Sequence, residues 1–162
     1  GISPENIAKV FAGDSSGFAP CTAEAVMEVL RTNEIPVEGK RVTVVGRSMV
    51  VGKPLAMLML KANGTVTMCH TRTRDLKGAC QNAEILVAAA GKAEMLNGDY
   101  VGQDAVVLDV GINVDEDGKL CGDVDFGSLE GKAAAATPVP GGVGAVTTAV
   151  LAKHLVQAAQ RR

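Results

Sequence analysis

Apolar and polar positions alternate with two different periods along this chain, and the change between them is sharpest at 42–60. Val42, Thr43, Val44 and Val45 form an unbroken β-forming run that stops at Gly46, as a buried strand entering a tight turn does. From about Val51 the text becomes VGKPLAMLMLKA, a helix-forming run over roughly 52–62 with Pro54 tolerated in its first turn. The same alternation recurs downstream. Strands are expected at Thr65–Cys69 (TVTMC), Glu84–Ala90 (EILVAAA), Ala105–Val110 (AVVLDV) and, shorter, Ala133–Ala136. Between them lie a short polar helix at Arg74–Asn82, a hairpin-like turn at Asp115–Gly118 and a helical turn at Phe126–Glu130. The final helix is expected at about 143–160, with Val146, Val150, Leu151 and Leu155 inward.

Ahead of the first strand, Ser3-Pro4-Glu5 opens a short helix, and Gly13 to Pro20 is a turn-rich connector. Thr22 is expected to cap a second helix with Ala25, Val26, Val29 and Leu30 as its apolar stripe, ending near Asn33. Strands that are nearly all apolar, alternating with helices, argue a parallel sheet covered on both faces. Right-handed crossovers wind such units into a Rossmann-like α/β domain. Composition agrees: 162 residues suit one domain, and a 47% hydrophobic, 2% aromatic chain builds its core from Val, Ala, Leu and Met. A net charge of −2 gives no footprint for nucleic acid or an anionic membrane, and no apolar run reaches transmembrane length. Cys21, Cys69, Cys80 and Cys121 are scattered without a C-x-x-C, so reduced thiols in a cytoplasmic protein are expected. With only His70 and His154, no metal site is expected.

Strand, glycine turn, helix is the geometry that brings backbone N–H groups and a helix N-terminus up to a phosphate. Here Gly46 and Gly52 have no glycine between them, so the G-x-G-x-x-G spacing fails, and an αβ turn without ligand stays open on this stretch alone. The end of the second strand, which faces the adenosine ribose in a dinucleotide domain, reads Cys69-His70-Thr71-Arg72-Thr73-Arg74. No carboxylate for a ribose 2′-hydroxyl appears before Asp75. Hydroxyls and guanidiniums suit a 2′-phosphate, and Arg47 on the first turn can add a bidentate contact; the alternative is a solvated loop with surface arginines. A second glycine cluster, Thr137–Thr147 (TPVPGGVGAVT), puts two prolines and three glycines at the mouth of a helix, suited to close backbone approach to a flat ligand. No nucleophile elbow, P-loop or carboxylate pair is present. Tyr100 has Asp104, not lysine, four residues on, and His70 reads better as a loop residue than as a catalyst.

The motifs VVGRSMVVGKP, VTMCHTRT, VVLDVGIN, GDVDF and TPVPGGVG, with Pro20-Cys21-Thr22 ahead of them, occur in the order of one family. The chain resembles the C-terminal, nucleotide-binding half of the methylenetetrahydrofolate dehydrogenase/cyclohydrolase family, over essentially its whole length. The resemblance implies that Gly46, Arg47 and Ser48 hold the phosphates of NADP. It implies that Thr71, with Arg72 beside it, meets the adenosine end, that Ile112 contacts the cofactor, and that Pro140, Gly141, Gly142, Val143 and Gly144 border a tetrahydrofolate substrate. Departures are Ala23 and Ala25 where the family has proline and glycine, Ala145 and Val146 where it has proline and methionine, and Thr71 for serine.

The resemblance further implies a homodimer and a catalytic N-terminal domain ending in Asp-Val-Asp-Gly, of which Gly1-Ile2 looks like the tail. On that reading residues 1–20 are the end of the missing domain plus a connector, and 21–162 are the NADP-binding domain. No catalytic residue is then expected within the chain, which alone should not turn over folate. The rival readings are a stand-alone, non-catalytic NADP-binding module and the dinucleotide domain of an amino-acid- or shikimate-dehydrogenase-like enzyme. The latter gives TPVPGGVG no purpose.

Overall fold

The computed structural model describes residues 1–161 and places the chain as a parallel sheet between two helical layers. Five helices, α1 (Pro4–Ala12), α2 (Cys21–Thr32), α3 (Gly52–Lys61), α4 (Leu76–Gln81) and α5 (Val143–Gln160), accompany seven strands. These are β1 (Arg41–Val45), β2 (Thr65–Cys69), β3 (Ile85–Ala88), β4 (Val106–Asp109), β5 (Asn113–Val114), β6 (Leu120–Cys121) and β7 (Ala135–Ala136). The sheet order is β2-β1-β3-β4-β7, all parallel, with β5 and β6 as a separate antiparallel hairpin. The doubly wound α/β architecture expected from the alternating pattern is thus what forms.

Successive residues of the central strands feed two different cores. Val42, Val44, Ile85, Val87 and Leu108 pack under α2, α3 and α5, together with Leu30, Leu55, Met59 and Val150. Val45, Leu86, Ala88 and Val107 pack on the opposite face with Cys80, Leu96, Val101 and Leu129. Strands buried on both faces read as continuous apolar runs, which is why they were legible. Thr43 is the polar exception, and its hydroxyl donates to the Ala79 carbonyl (3.0 Å). β2 differs because it is the edge: Thr65 and Thr67 are exposed, and only Cys69 is buried.

Several local expectations are corrected. Thr22 does not cap α2: the helix already begins at Cys21, with Pro20 at the N-cap and no side-chain capping bond. In α5, Leu151 and Leu155 face solvent, whereas Val143, Val150 and His154 are inward. A helix uniformly rich in Ala, Val and Leu has no amphipathic contrast from which to read its inner face. α3, apolar all round in sequence, is absorbed within the chain: Pro54, Leu55, Ala56 and Met59 are buried, Met57 and Leu58 half-buried, and Leu60 exposed. All four cysteines are free thiols, Cys69 and Cys80 buried and Cys21 and Cys121 half-buried. No helix among the described residues is long and apolar enough to cross a membrane.

Candidate functional site

In an open α/β sheet, ligands bind at the carboxyl ends of the strands, where the order reverses direction. The order β2-β1-β3-β4-β7 reverses between β1 and β3. A cavity of about 370 Å³ lies there, lined by Val45, Gly46, Arg47 and Ser48 after β1, His70, Thr71 and Thr73 after β2, and Ala89, Ala90 and Lys92 after β3. A larger cavity, about 520 Å³, opens at the amino ends of the strands around Glu34, Lys40, Arg41, Glu84 and Gln103. Its two cations are already held by Glu84, which pairs with both Lys40 and Arg41 at 3.4 Å, and the other charged residues lining it are the acids Glu34 and Asp104. The smaller cavity is therefore the candidate.

Gly46 fixes its floor. Its φ of +130° lies where side chains are strained, and a Cβ would overlap the Ala89 carbonyl oxygen, so β1 and β3 can close only around a glycine here. Gly52 is pressed against the Gly46 carbonyl in the same way. The helix end itself offers less than the strand-turn-helix pattern suggests. The Ser48 hydroxyl accepts from the Val51 N–H (3.1 Å), and the Ser48 carbonyl accepts from Lys53 N–H (3.0 Å). Pro54 has no N–H to give. The donors left without a partner among the described residues are instead the N–H groups of Arg47, Ser48, Met49 and Val50. An anion is thus offered the loop ahead of α3, with the exposed Arg47 on it, rather than the first turn of the helix.

The adenosine-side loop is built around its own hydrogen bonds. His70 N–H donates to the Thr73 hydroxyl (2.9 Å), and His70 Nδ1 accepts from Arg72 N–H (3.2 Å). His70 thus shapes the loop through both bonds and also lines the cavity. Asp75, the first carboxylate after β2, is committed to the N-cap of α4, accepting from Gly78 N–H (2.9 Å). No acid is free at that position to receive a ribose hydroxyl.

The expected site residues thus fall into two groups. Gly46, Arg47, Ser48 and Thr71 share the cavity with Lys92, which sequence reasoning passed over although it directly follows Gly91 after β3. Arg72 is exposed beside the cavity without lining it, and Ile112 is 72% exposed on the loop after β4. Pro140, Gly141, Gly142 and Gly144 do not line it either; Pro140 to Gly142 form a separate turn that contains a cis Val139–Pro140 peptide, and Gly144 lies in the first turn of α5. Gly141 has φ +91°, and a Cβ on Gly142 would overlap the Pro138 carbonyl, whereas Gly144 meets open space. The Val143 side chain is buried in the core under α2 and α3, so it can present only backbone to a ligand.

Two groups went unread in sequence. Asp109 and Asp123 are buried where the β3 and β4 loops meet. His154 Nε2 lies 2.6 Å from Glu24 Oε2 across α2 and α5, a carboxylate partner that sequence proximity could not reveal.

Comparison with known proteins decides the class. Residues 20–162 match the family model described as tetrahydrofolate dehydrogenase/cyclohydrolase, NAD(P)-binding domain. The chain belongs to that family. The bifunctional protein FolD of Clostridium kluyveri is 58% identical over 161 residues, covering 99% of this chain and 57% of the relative. The crystal structure of the bifunctional FolD methylenetetrahydrofolate dehydrogenase/cyclohydrolase from Campylobacter jejuni superposes with a TM-score of 0.97 at 42% identity, over 99% of this chain and 57% of that one. The Trypanosoma brucei FolD, solved with NADP cofactor and inhibitor, superposes with a TM-score of 0.91 at 37% identity, again over 99% and 57%. The chain therefore spans little more than half the length of the relatives it matches.

Proposed function

We propose that the chain is the NADP-binding half of an enzyme that oxidises 5,10-methylenetetrahydrofolate to 5,10-methenyltetrahydrofolate and hydrolyses that product to 10-formyltetrahydrofolate. The observation that carries the reading is the cavity at the β1/β3 reversal, joined to a relative of the same fold solved with NADP. The residues present fit that dinucleotide. Gly46 lets the turn after β1 close against Ala89 at the cavity floor, the 47–50 amides offer unpaired donors, and Arg47 and Lys92 supply cations. NADP supplies the hydride acceptor. The chain's own part is to bind it, orient it along the sheet's carboxyl edge and keep one wall of the folate cleft, formed by the Pro140–Gly144 turn.

Preference for NADP over NAD rests on the loop after β2, where Thr71, Arg72 and Arg74 stand and Asp75 is committed to α4. Isothermal titration of the chain with each dinucleotide tests it. At least tenfold tighter binding of NADP is expected, and equal affinities would refute the preference.

The acid–base groups of both reactions are assigned to the part of the relatives that this chain does not span, and residues 1–20 to its junction with the domain at 21–162. Purified alone, the chain should bind NADP without turning over methylenetetrahydrofolate, since one wall cannot hold a pterin against the nicotinamide. Robust NADPH formation by this chain would place the chemistry here instead. A homodimer acting in the cytoplasm on purine-supplying one-carbon units completes the proposal. The dimer is supported by the solvent-facing Leu151, Leu155 and Val156 of α5, not by α3, whose apolar surface is largely buried within the chain.

A further inference from the structure

The loop after β3 has a polarity opposite to that of the loop after β1. The three consecutive amides of Ala90, Gly91 and Lys92 form the kind of concave N–H cradle that binds anions, and Asp123 fills it. Asp123 Oδ2 accepts from Ala90 N–H (2.6 Å) and Gly91 N–H (2.9 Å), and Oδ1 accepts from Lys92 N–H (3.0 Å) and the Asn113 side-chain amide (2.9 Å). Asp123 has no solvent exposure. Asp109 braces it from behind: Oδ1 accepts from Gly111 N–H (2.9 Å) and Asp123 N–H (3.0 Å), and Oδ2 accepts from Val124 N–H (2.9 Å). Gly111 and Gly122 make room for the pair, because a Cβ at either would overlap one of the carboxylates. With their amides turned towards Asp123, Ala90 and Gly91 keep carbonyl oxygens that accept no hydrogen bond among the described residues.

We propose that Asp123 is an internal anion that sets the specificity of this loop, excluding phosphate from it and presenting its carbonyls to an N–H donor, the carboxamide of nicotinamide. It is a positioning residue, because it would act through the backbone of 89–92 and touch no ligand. The phosphates are thereby confined to the 47–50 loop, whose amides are free, and the dinucleotide is given a direction along the sheet edge. This inference rests on the dinucleotide reading above.

The test compares three ligands by calorimetry on the whole chain: adenosine 2′,5′-bisphosphate, NADP, and 3-acetylpyridine-adenine dinucleotide phosphate, whose acetyl group has no N–H. The unmutated chain should bind the acetylpyridine analogue about threefold to tenfold more weakly than NADP, the loss of one hydrogen bond. In Asp123→Asn, whose amide cannot accept from all the same donors, NADP should weaken to the level of the analogue while the bisphosphate stays within about twofold. Asn113→Ala removes one donor to Asp123 and leaves its charge. It should narrow the discrimination partway, which keeps the test decisive should Asp123→Asn fail to fold. Equal binding of NADP and the analogue by the unmutated chain would overturn the inference. So would discrimination that survives both substitutions. Failure of the unmutated chain to bind the bisphosphate would instead overturn the dinucleotide reading beneath it.

Discussion

At Gly46 the backbone leaves no room for a side chain, since φ is +130° and the Ala89 carbonyl occupies the Cβ position. Gly46→Ala should therefore cost roughly 1–3 kcal/mol of stability from strain alone, read as a lower urea midpoint at unchanged slope; an unchanged midpoint would mean the turn can relax. Arg47 is different, being exposed, with no side-chain partner among the described residues. Arg47→Ala should leave the urea midpoint in place and weaken NADP by about 1.5–3 kcal/mol, the loss of charge-assisted hydrogen bonds. Cys80 supplies a pH signature. Burial pushes its thiol up to about 12 from 9.0. The unfolded chain releases that proton near pH 9 while the native chain holds it, so the contribution is fully present below pH 9 and is lost as pH rises towards 12. Cys80→Ala should flatten that alkaline limb of stability measured by urea unfolding, and an identical limb in both proteins would count against it.

Between elements, the contact of α2 with α5 carries its own charge cluster. Lys153 bridges Glu24 (3.0 Å) and Glu28 (2.7 Å), and His154 meets Glu24 beside it. The Lys153 ammonium, with Arg31, holds the Glu28 carboxyl below its ordinary range. A carboxylate lowered in the folded state stabilises above its unfolded value of 4.5 and loses that contribution as pH falls through the folded one. Lys153→Ala should cost about 1 kcal/mol at pH 7, with the difference from the unmutated chain closing as pH drops below 4.5. A difference that persists unchanged at pH 3 would point to lost packing rather than charge. The same pair of helices shows where sequence reading stops. β1, β3 and β4 were legible because strands buried on both faces are apolar at nearly every position, and Gly46 because a glycine ends such a run. Which face of α5 turns inward was not legible, because neither face is polar enough to be excluded. His154 found its carboxylate only through tertiary packing, and the Asp109–Asp123 pair lay in GDVDF and VVLDV, where each acid reads locally as a turn or strand-end residue.

For the molecule as a whole, function turns on which end of the sheet receives the ligand. The wider cavity is at the amino ends and the better-equipped one at the carboxyl ends, where the unpaired amides of 47–50, the turned loop at 89–92 and the acid-free stretch 70–74 converge. The family match gives the domain its class, and the site residues gain their roles only from that convergence. Amide chemical shifts of the labelled chain during NADP titration test this most directly. The largest changes are expected at 46–52, 70–73 and 89–92, with 34–41, 81–84 and 102–104 at the opposite end unmoved. Changes centred on Lys40, Arg41 and Glu84, or none at saturating NADP, would contradict it.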